Sequence, residues 1–221
     1  MNIDSKNDIA KLIDHSLLRP DAVEADIIKL CEEAGEHGFH SICVHPFFVR
    51  TAGRALFRTH VKISAVVGFP FGMNQPEVKI YEAIGAVING ADELDIVMNI
   101  GLARSNDWAG VEKEIADIVT ATRGAAHKII IEACYLTDDE KIKACAAVMN
   151  AGAEFIKTST GFGPSGALIS DVELIRSVTK GRAGIKAAGN IRTLSDIKAF
   201  VKAGATRIGT SSGVEIMKEL T

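Results

Sequence analysis

The chain of 221 residues has no surplus of basic charge: 25 Lys and Arg stand against 28 Asp and Glu, a formal net charge of −3. Without a positive field it has little to hold a polyanion or an anionic membrane, so nucleic acid and lipid surfaces are not expected partners. Its four cysteines, Cys31, Cys43, Cys134 and Cys145, contain no C-x-x-C pair and fall in strongly periodic segments. Neither a thiolate zinc site nor a disulfide scaffold is expected, and buried thiols in a reducing cytoplasm are. No stretch approaches the roughly 18 uninterrupted apolar residues of a membrane span, and the N-terminal MNIDSKNDIAKLIDH lacks the apolar core of a secretion signal. His15, His37, His40, His45, His60 and His127 form neither H-x-H nor H-E-x-x-H, so no metal is expected. Glycine and proline are modest at 20 and 5, while hydrophobic residues reach 47% and charged ones 24%, which excludes disorder and collagen-like structure. The length suits one domain spanning residues 1–221 with ample core.

What the sequence does have is alternation. Runs rich in Val, Ile and Phe recur at 12–16, 39–44, 61–67, 93–98, 128–133, 155–159, 184–188 and 207–210, predicting eight strands. Between them lie helical spacings with start signals: Asp21 with Glu24, Asn74 with Pro76 and Glu77, Thr137 with Glu140, Ser170 with Glu173, and Thr193 with Asp196. The segments Asn89-Gly-Ala-Asp-Glu-Leu, Asn150-Ala-Gly-Ala-Glu-Phe and Lys202-Ala-Gly-Ala-Thr-Arg each place a glycine at a helix end just before a strand. Eight units of about 28 residues predict an α/β chain folded as a single closed (β/α)8 TIM barrel. A doubly wound open sheet is the alternative, because alternation alone does not report closure.

A parallel strand covered on both faces reads as a continuous apolar run, and three predicted strands break that pattern. Period-2 alternation puts Glu93, Asp95 and Val97 on one face of the fourth strand. By the same rule Lys157 shares a face with Phe155 and Ser159 on the sixth, and Lys186 with Gly184 and Ala188 on the seventh. One carboxylate and two ammonium groups are thus expected to point inward. They could form a satisfied ion-pair cluster, or the lysines could lie outward over helices. The chemical alternative is that one ammonium suppresses protonation of the other. At pH 7 a lysine of pKa near 10.4 is about one part in 2,500 free amine, and one lowered to around 7 is about half free, a gain of roughly 4 kcal/mol. A free amine in a polar barrel mouth is a Schiff-base nucleophile. Adjacent Asp14 and His15 face opposite ways on a strand, so only one can enter the barrel; Asp14 is the candidate for a supporting polar role. Glu132, read on the fifth strand, is expected inward behind the site.

Glycines gather after the last three strands: Gly161 and Gly163, then Gly189, then Gly209 and Gly213, with hydroxyls of Ser211 and Ser212 beside the last pair. Loops there commonly hold phosphate in barrels, so a phosphorylated ligand is expected, with plain tight turns as the alternative. Gly161-Phe-Gly-Pro-Ser-Gly166 matches G-x-G-x-x-G in form only. Pro164 stands where the helix should open, and about 20 residues on there is Lys186 instead of an acid, so no nicotinamide or other cofactor is expected.

The motifs Leu12-Ile-Asp-His-Ser-Leu-Leu-Arg-Pro20, Val66-Val-Gly-Phe-Pro-Phe-Gly72, Glu93-Leu-Asp-Ile-Val-Met-Asn-Ile-Gly101, Phe155-Ile-Lys-Thr-Ser-Thr-Gly161 and Ile185-Lys-Ala-Ala-Gly-Asn-Ile-Arg-Thr193 resemble the deoxyribose-phosphate aldolases, class I aldolases on a TIM barrel. The resemblance covers nearly the whole chain, and the segment ending at Gly161 is its most specific part. It implies Lys157 as the Schiff-base lysine, Lys186 as the second lysine that lowers its pKa, and Asp95 as acid/base partner through a water. Phosphate would be held by Gly161, Gly189, Asn190, Gly209, Ser211 and Ser212, with Asp14 and Thr160 in support. The substrate would be a small phosphorylated sugar, cleaved in the cytoplasm, and barrels of this size often associate into homo-oligomers. The chain departs from the family at Asn190, where a second glycine is usual, and at Ala187 or Ala188, where a serine or proline is usual. Other Schiff-base sugar-phosphate lyases such as transaldolase, a carboxylate-based phosphosugar isomerase, and a non-catalytic sugar-phosphate binder are the competing readings.

Overall fold

A computed structural model of the protein describes residues 5–220. Eight parallel strands close into a barrel in sequential order: β1 Ile13–Ser16, β2 Ser41–Val44, β3 Lys62–Val67, β4 Glu93–Val97, β5 Ala126–Ile130, β6 Phe155–Lys157, β7 Gly184–Ala188 and β8 Arg207–Thr210, with β8 pairing back to β1. Closure decides against the open sheet. Helices α1 Lys6–Ala10, α2 Glu24–His37, α3 Val49–Ala55, α4 Pro76–Ile88, α5 Ile100–Arg104, α6 Trp108–Ala121, α7 Asp138–Asn150, α8 Ile169–Thr179, α9 Leu194–Ala203 and α10 Gly213–Lys218, with short 3-10 turns at Pro46–Phe48 and Ala133–Tyr135, complete the described elements, and the helices that follow the strands wrap the barrel.

The helix starts follow local chemistry where a side chain can reach back. Thr137 and Glu140 cap α7 reciprocally, as do Thr193 and Asp196 for α9, satisfying amide groups that the first helical turn leaves unpaired. At α2 the expected Asp21–Glu24 signal is displaced: Asp21 pairs with Arg19 at 2.8 Å, and the Asp26 carboxylate takes the Val23 amide instead. At α8 the helix opens one residue before Ser170, behind Leu168, with no side-chain cap. The longer helices turn an apolar stripe onto the barrel, as α2 does with Ile27, Leu30, Cys31 and Ala34 at i, i+3, i+4 and i+7.

The strands divide their side chains by face. Ile42 and Val44, Leu94 and Ile96, and Ile185 and Ala187 join the apolar layer between barrel and helices. The opposite residues fill the interior, and there the fold is unusual for its polarity: Asp14, Ser64, Asp95, Lys128, Lys157 and Lys186 are all buried. An interior of branched apolar layers is the norm for such barrels, so the hydrophobic contribution comes from the outer layer and leaves the inside for chemistry.

β5 is where expectation and structure part. It spans Ala126–Ile130 instead of 128–133, and Ala133–Tyr135 form a short 3-10 turn. The run Ile129-Ile130-Ile131 reads as continuous strand, but the backbone turns at Glu132, which takes a left-handed φ of 46°. Glu132 is therefore not a strand residue directed into the barrel.

Candidate active site

Strand register brings the charged residues together. Lys157 of β6 stands beside Lys186 of β7, Lys186 beside Arg207 of β8, and Asp95 of β4 beside Lys128 of β5. Asp95 is fully buried and collects five donors. Its Oδ2 lies 2.7 Å from Lys157 Nζ, 2.7 Å from Lys186 Nζ and 3.7 Å from Cys43 Sγ; its Oδ1 accepts from Ser64 Oγ at 2.9 Å and Lys128 Nζ at 2.9 Å. Burial alone would raise its carboxyl, yet the three ammonium groups outweigh burial and hold it well below the usual carboxylate range.

Beneath lies a second tier, in which Asp14 and Glu93, both expected inward from strand alternation, meet Lys128 and Arg207, which the sequence did not single out. Asp14 lies 2.5 Å from Lys186 Nζ and 2.9 Å from Arg207, while Glu93 lies 2.6 Å from Lys128 Nζ and 3.4 Å from Arg207. Burial works against both carboxylates, but for Asp14 the cations Lys186, Lys128 and Arg207 prevail, and for Glu93 the His40 hydrogen bond, Lys128 and Arg207 bring it down to about 2. Charged residues thus enter the barrel from β1, β4, β5, β6, β7 and β8. Lys128 and Arg207 were missed because each opens its run, where a charge looks like a solvated strand end. The available signal was alternation: Lys128 shares a face with Ile130, and Arg207 with Gly209.

The cluster holds four cations, Lys128, Lys157, Lys186 and Arg207, and three carboxylates, Asp14, Glu93 and Asp95. One positive charge is in excess, and loss of one proton would balance it. Lys128, Lys186 and Arg207 each contact at least two carboxylates, whereas Lys157 pairs with Asp95 alone among the described residues. For Lys186 burial favours the neutral amine, but Asp14 and Asp95 overcome it and raise its pKa above the ordinary lysine value. Lys186 is a fixed cation.

Above Asp95 a cavity of about 370 Å³ opens at the C-terminal ends of the strands. Lys157, Lys186 and Thr160 line it, together with Gly161, Gly189, Asn190, Gly209, Ser211 and Ser212. Asp14 and Asp95 lie below the cavity and do not line it. Gly163 belongs to a neighbouring cavity, and Gly213 packs against His15 and Phe39, where a Cβ would come within 2.9 Å of the His15 ring. His15 faces away from the barrel interior and meets Glu33 of α2 at 2.9 Å. The wall forms where the loop after β6 crosses the loop after β7: a Cβ on Gly166 would come within 2.3 Å of the Gly189 carbonyl oxygen, and Ala167 N–H donates to the carbonyls of Ala188 and Gly189. Gly209 clears the stem of Lys186, since a Cβ there would stand 3.0 Å from Lys186 Cε. Arg19 and Arg192, not singled out from the sequence, also reach the cavity. Arg19 is held by Asp21 and Asp26, while the Arg192 guanidinium has no side-chain partner among the described residues.

A carboxylate-anchored pair of lysines under the mouth of a (β/α)8 barrel, below a wall rich in backbone amides, is the equipment of a lyase working on small carbonyl compounds. Comparison with known proteins agrees. Residues 9–219 match the model of the DeoC/LacD family aldolases. The chain is 50% identical over 214 residues to the deoxyribose-phosphate aldolase of Thermoanaerobacter pseudethanolicus (strain ATCC 33223 / 39E), covering 96% of each. Among solved structures it matches "QR15, an Aldolase" at a TM-score of 0.93 and 42% identity, covering 99% of this chain and 96% of that one. A structure described as the unique tetrameric structure of deoxyribose phosphate aldolase from Aeropyrum pernix matches at a TM-score of 0.93 and 34% identity, covering 98% and 92%. The chain belongs to the DeoC/LacD aldolase family and is an aldolase, a carbon–carbon lyase. Among the described residues no helix is long and apolar enough to cross a membrane.

Proposed function

We propose that the protein cleaves 2-deoxy-D-ribose 5-phosphate reversibly to D-glyceraldehyde 3-phosphate and acetaldehyde through a Schiff base on Lys157, in deoxyribose phosphate catabolism in the cytoplasm. The observation that carries this reading is the placement of Lys157: it has one carboxylate partner in a cluster with one excess positive charge, and it borders the cavity. Lys186 is tied to two carboxylates, whereas Lys157 shares only Asp95 and borders the cavity, so Lys157 is the lysine placed to act as the nucleophile.

The neutral Lys157 amine adds to the C1 aldehyde of the open-chain sugar, and loss of water gives an iminium. Asp95, acting through a water, takes the proton of the C3 hydroxyl. The C2–C3 bond breaks, its electron pair passes into the C1–C2 enamine, and C3 leaves as the aldehyde of glyceraldehyde 3-phosphate. Protonation of the enamine at C2 and hydrolysis release acetaldehyde and restore Lys157. Lys186 stays charged throughout and keeps the site poor in protons. Gly161, Gly189, Asn190, Gly209, Ser211 and Ser212 face the phosphate, and the unpartnered Arg192 adds charge of the right sign at the rim. The relatives' printed names support the substrate. The tetrameric relative and the exposed Phe47, Phe57 and Tyr81 on this chain support association with further copies of itself.

Borohydride reduction in the presence of the sugar phosphate tests the reading: a stable adduct is expected on the peptide containing Lys157, and none in Lys157→Ala, which loses turnover. Label on another lysine, or turnover surviving Lys157→Ala, would reject the assignment.

A further inference from the structure

Glu132 is buried at 2% exposure and is held in a backbone conformation that side chains with a Cβ avoid, with φ 46° and ψ 65°. Its neighbours continue the barrel ladder around it: Ile131 N–H donates to the Lys157 carbonyl at 3.0 Å and Ala133 N–H to the Thr158 carbonyl at 2.9 Å. The left-handed turn rotates the Glu132 side chain out of the strand pattern and onto the loop after β6. There the Thr160 amide forks to both carboxylate oxygens at 3.2 Å, and the Thr160 hydroxyl donates to Oε2. The Thr160 hydroxyl oxygen in turn accepts the Phe162 amide at 3.0 Å. Close fit extends to Gly163, where a Cβ would stand 3.3 Å from the Glu132 carboxyl group. The Glu132 carboxylate therefore anchors Thr160 directly and Phe162 through the Thr160 hydroxyl, on either side of Gly161, and all three residues border the Lys157 cavity. An uncommon backbone conformation kept by surrounding contacts is the kind of feature from which a functional role is argued.

We infer that Glu132 is a positioning residue: it sets the loop from Thr160 to Gly163 so that the Gly161 backbone meets the phosphate end of the substrate. The inference rests on the proposed phosphorylated sugar. The Glu132 carboxylate accepts three hydrogen bonds from Thr160 in a buried setting, where an anionic acceptor is stronger than a neutral one. Burial pushes the Glu132 carboxyl upward, and the Thr160 bonds and the charge of Lys157 oppose that push. Loss of the carboxylate would loosen the phosphate wall while leaving Lys157, Lys186 and Asp95 in place, since none of those three bonds to Glu132.

The test measures kcat and KM for 2-deoxyribose 5-phosphate and for unphosphorylated 2-deoxyribose, with inorganic phosphate binding by calorimetry, in wild type, Glu132→Ala and Glu132→Gln. Glu132→Ala should raise KM for the phosphorylated sugar about tenfold or more with kcat within about threefold, and weaken inorganic phosphate by a similar factor. Its kcat/KM for the unphosphorylated sugar should stay within about twofold. Glu132→Gln, which keeps one acceptor oxygen, should raise KM by about threefold or more, and carries the comparison if the alanine variant fails to fold by circular dichroism. Equal losses on both sugars, a fall in kcat alone, or an unchanged KM overturns the inference. If wild type cleaves neither sugar, the substrate reading fails by itself and the phosphate titration decides: weaker binding in the variants upholds the positioning role, and unchanged binding overturns it.

Discussion

Lys157 and Lys186 place their ammonium nitrogens 2.7 Å from the same oxygen, Oδ2 of Asp95. The carboxylate brings the two cations into one site, and the rest of the cluster makes them unequal, since Lys186 also holds Asp14 and Lys157 meets no second carboxylate among the described residues. A shared anion with unequal cations sets Lys157 apart from Lys186 by the number of carboxylates each one holds.

Lys186→Met should move the acid limb of the kcat/KM profile to higher pH. The substitution removes a fixed positive charge beside Lys157 and leaves Asp95 and Asp14 negative, so the ammonium form of Lys157 gains. A charge at this range shifts a titration by about 1–2 units, so activity at pH 7 should fall roughly 10- to 100-fold. Lys186→Arg keeps the charge and should move the limb less. A limb that stays in place or moves to lower pH in Lys186→Met contradicts the role given to Lys186.

Acid stability follows from the same cluster. Glu93 titrates at about 2 in the folded chain against an ordinary value of 4.5, so across that interval the unfolded chain binds the extra proton. The contribution of Glu93 is present above pH 4.5 and disappears as pH falls toward 2; the difference is worth roughly 3 kcal/mol. Asp14 and Asp95, also depressed, lose their contributions in the same direction. Urea unfolding of wild type should weaken steeply below pH 4.5, and Glu93→Gln should be less stable at pH 7 with a shallower slope below pH 4.5. Parallel curves for the two proteins would show that Glu93 is not the group responsible.

The barrel itself was legible in the sequence because its determinants are local. Val- and Ile-rich runs, capping pairs such as Thr137 with Glu140, and glycines such as Gly152 at φ 84° before β6 act within a few residues of where they stand. Asp95, Lys157 and Lys186 were legible for a related reason, since each interrupts an apolar run at an inward position. Lys128 and Arg207 were not, because a charge at the first position of a run has no apolar neighbour on its near side to mark it as an interruption. Their direction is set by register with Asp95 and Lys186 across neighbouring strands, which is a tertiary fact. Glu132 reads as an inward strand residue for the opposite reason: the isoleucines before it continue the strand pattern, while the turn that ends β5 early is accompanied by contacts with Thr160, a residue distant in sequence.

Asn190 is one of five non-glycine residues with a left-handed backbone among the described residues. It sits at φ 61° in the cavity wall next to Gly189 at φ 91°, a left-handed position where the family resemblance leads one to expect glycine. Asparagine is among the few residues that visit this region routinely, because its short amide bonds locally, whereas an alanine Cβ meets the following carbonyl without that return. Asn190→Ala should therefore lower unfolding free energy by about 1 kcal/mol, while Asn190→Gly should stay within about 0.5 kcal/mol, relief of the Cβ contact offsetting the greater freedom of the unfolded chain. Urea titrations with an unchanged m-value measure both. If alanine is as stable as asparagine, or glycine as damaging as alanine, the left-handed backbone is not what selects the residue at this position.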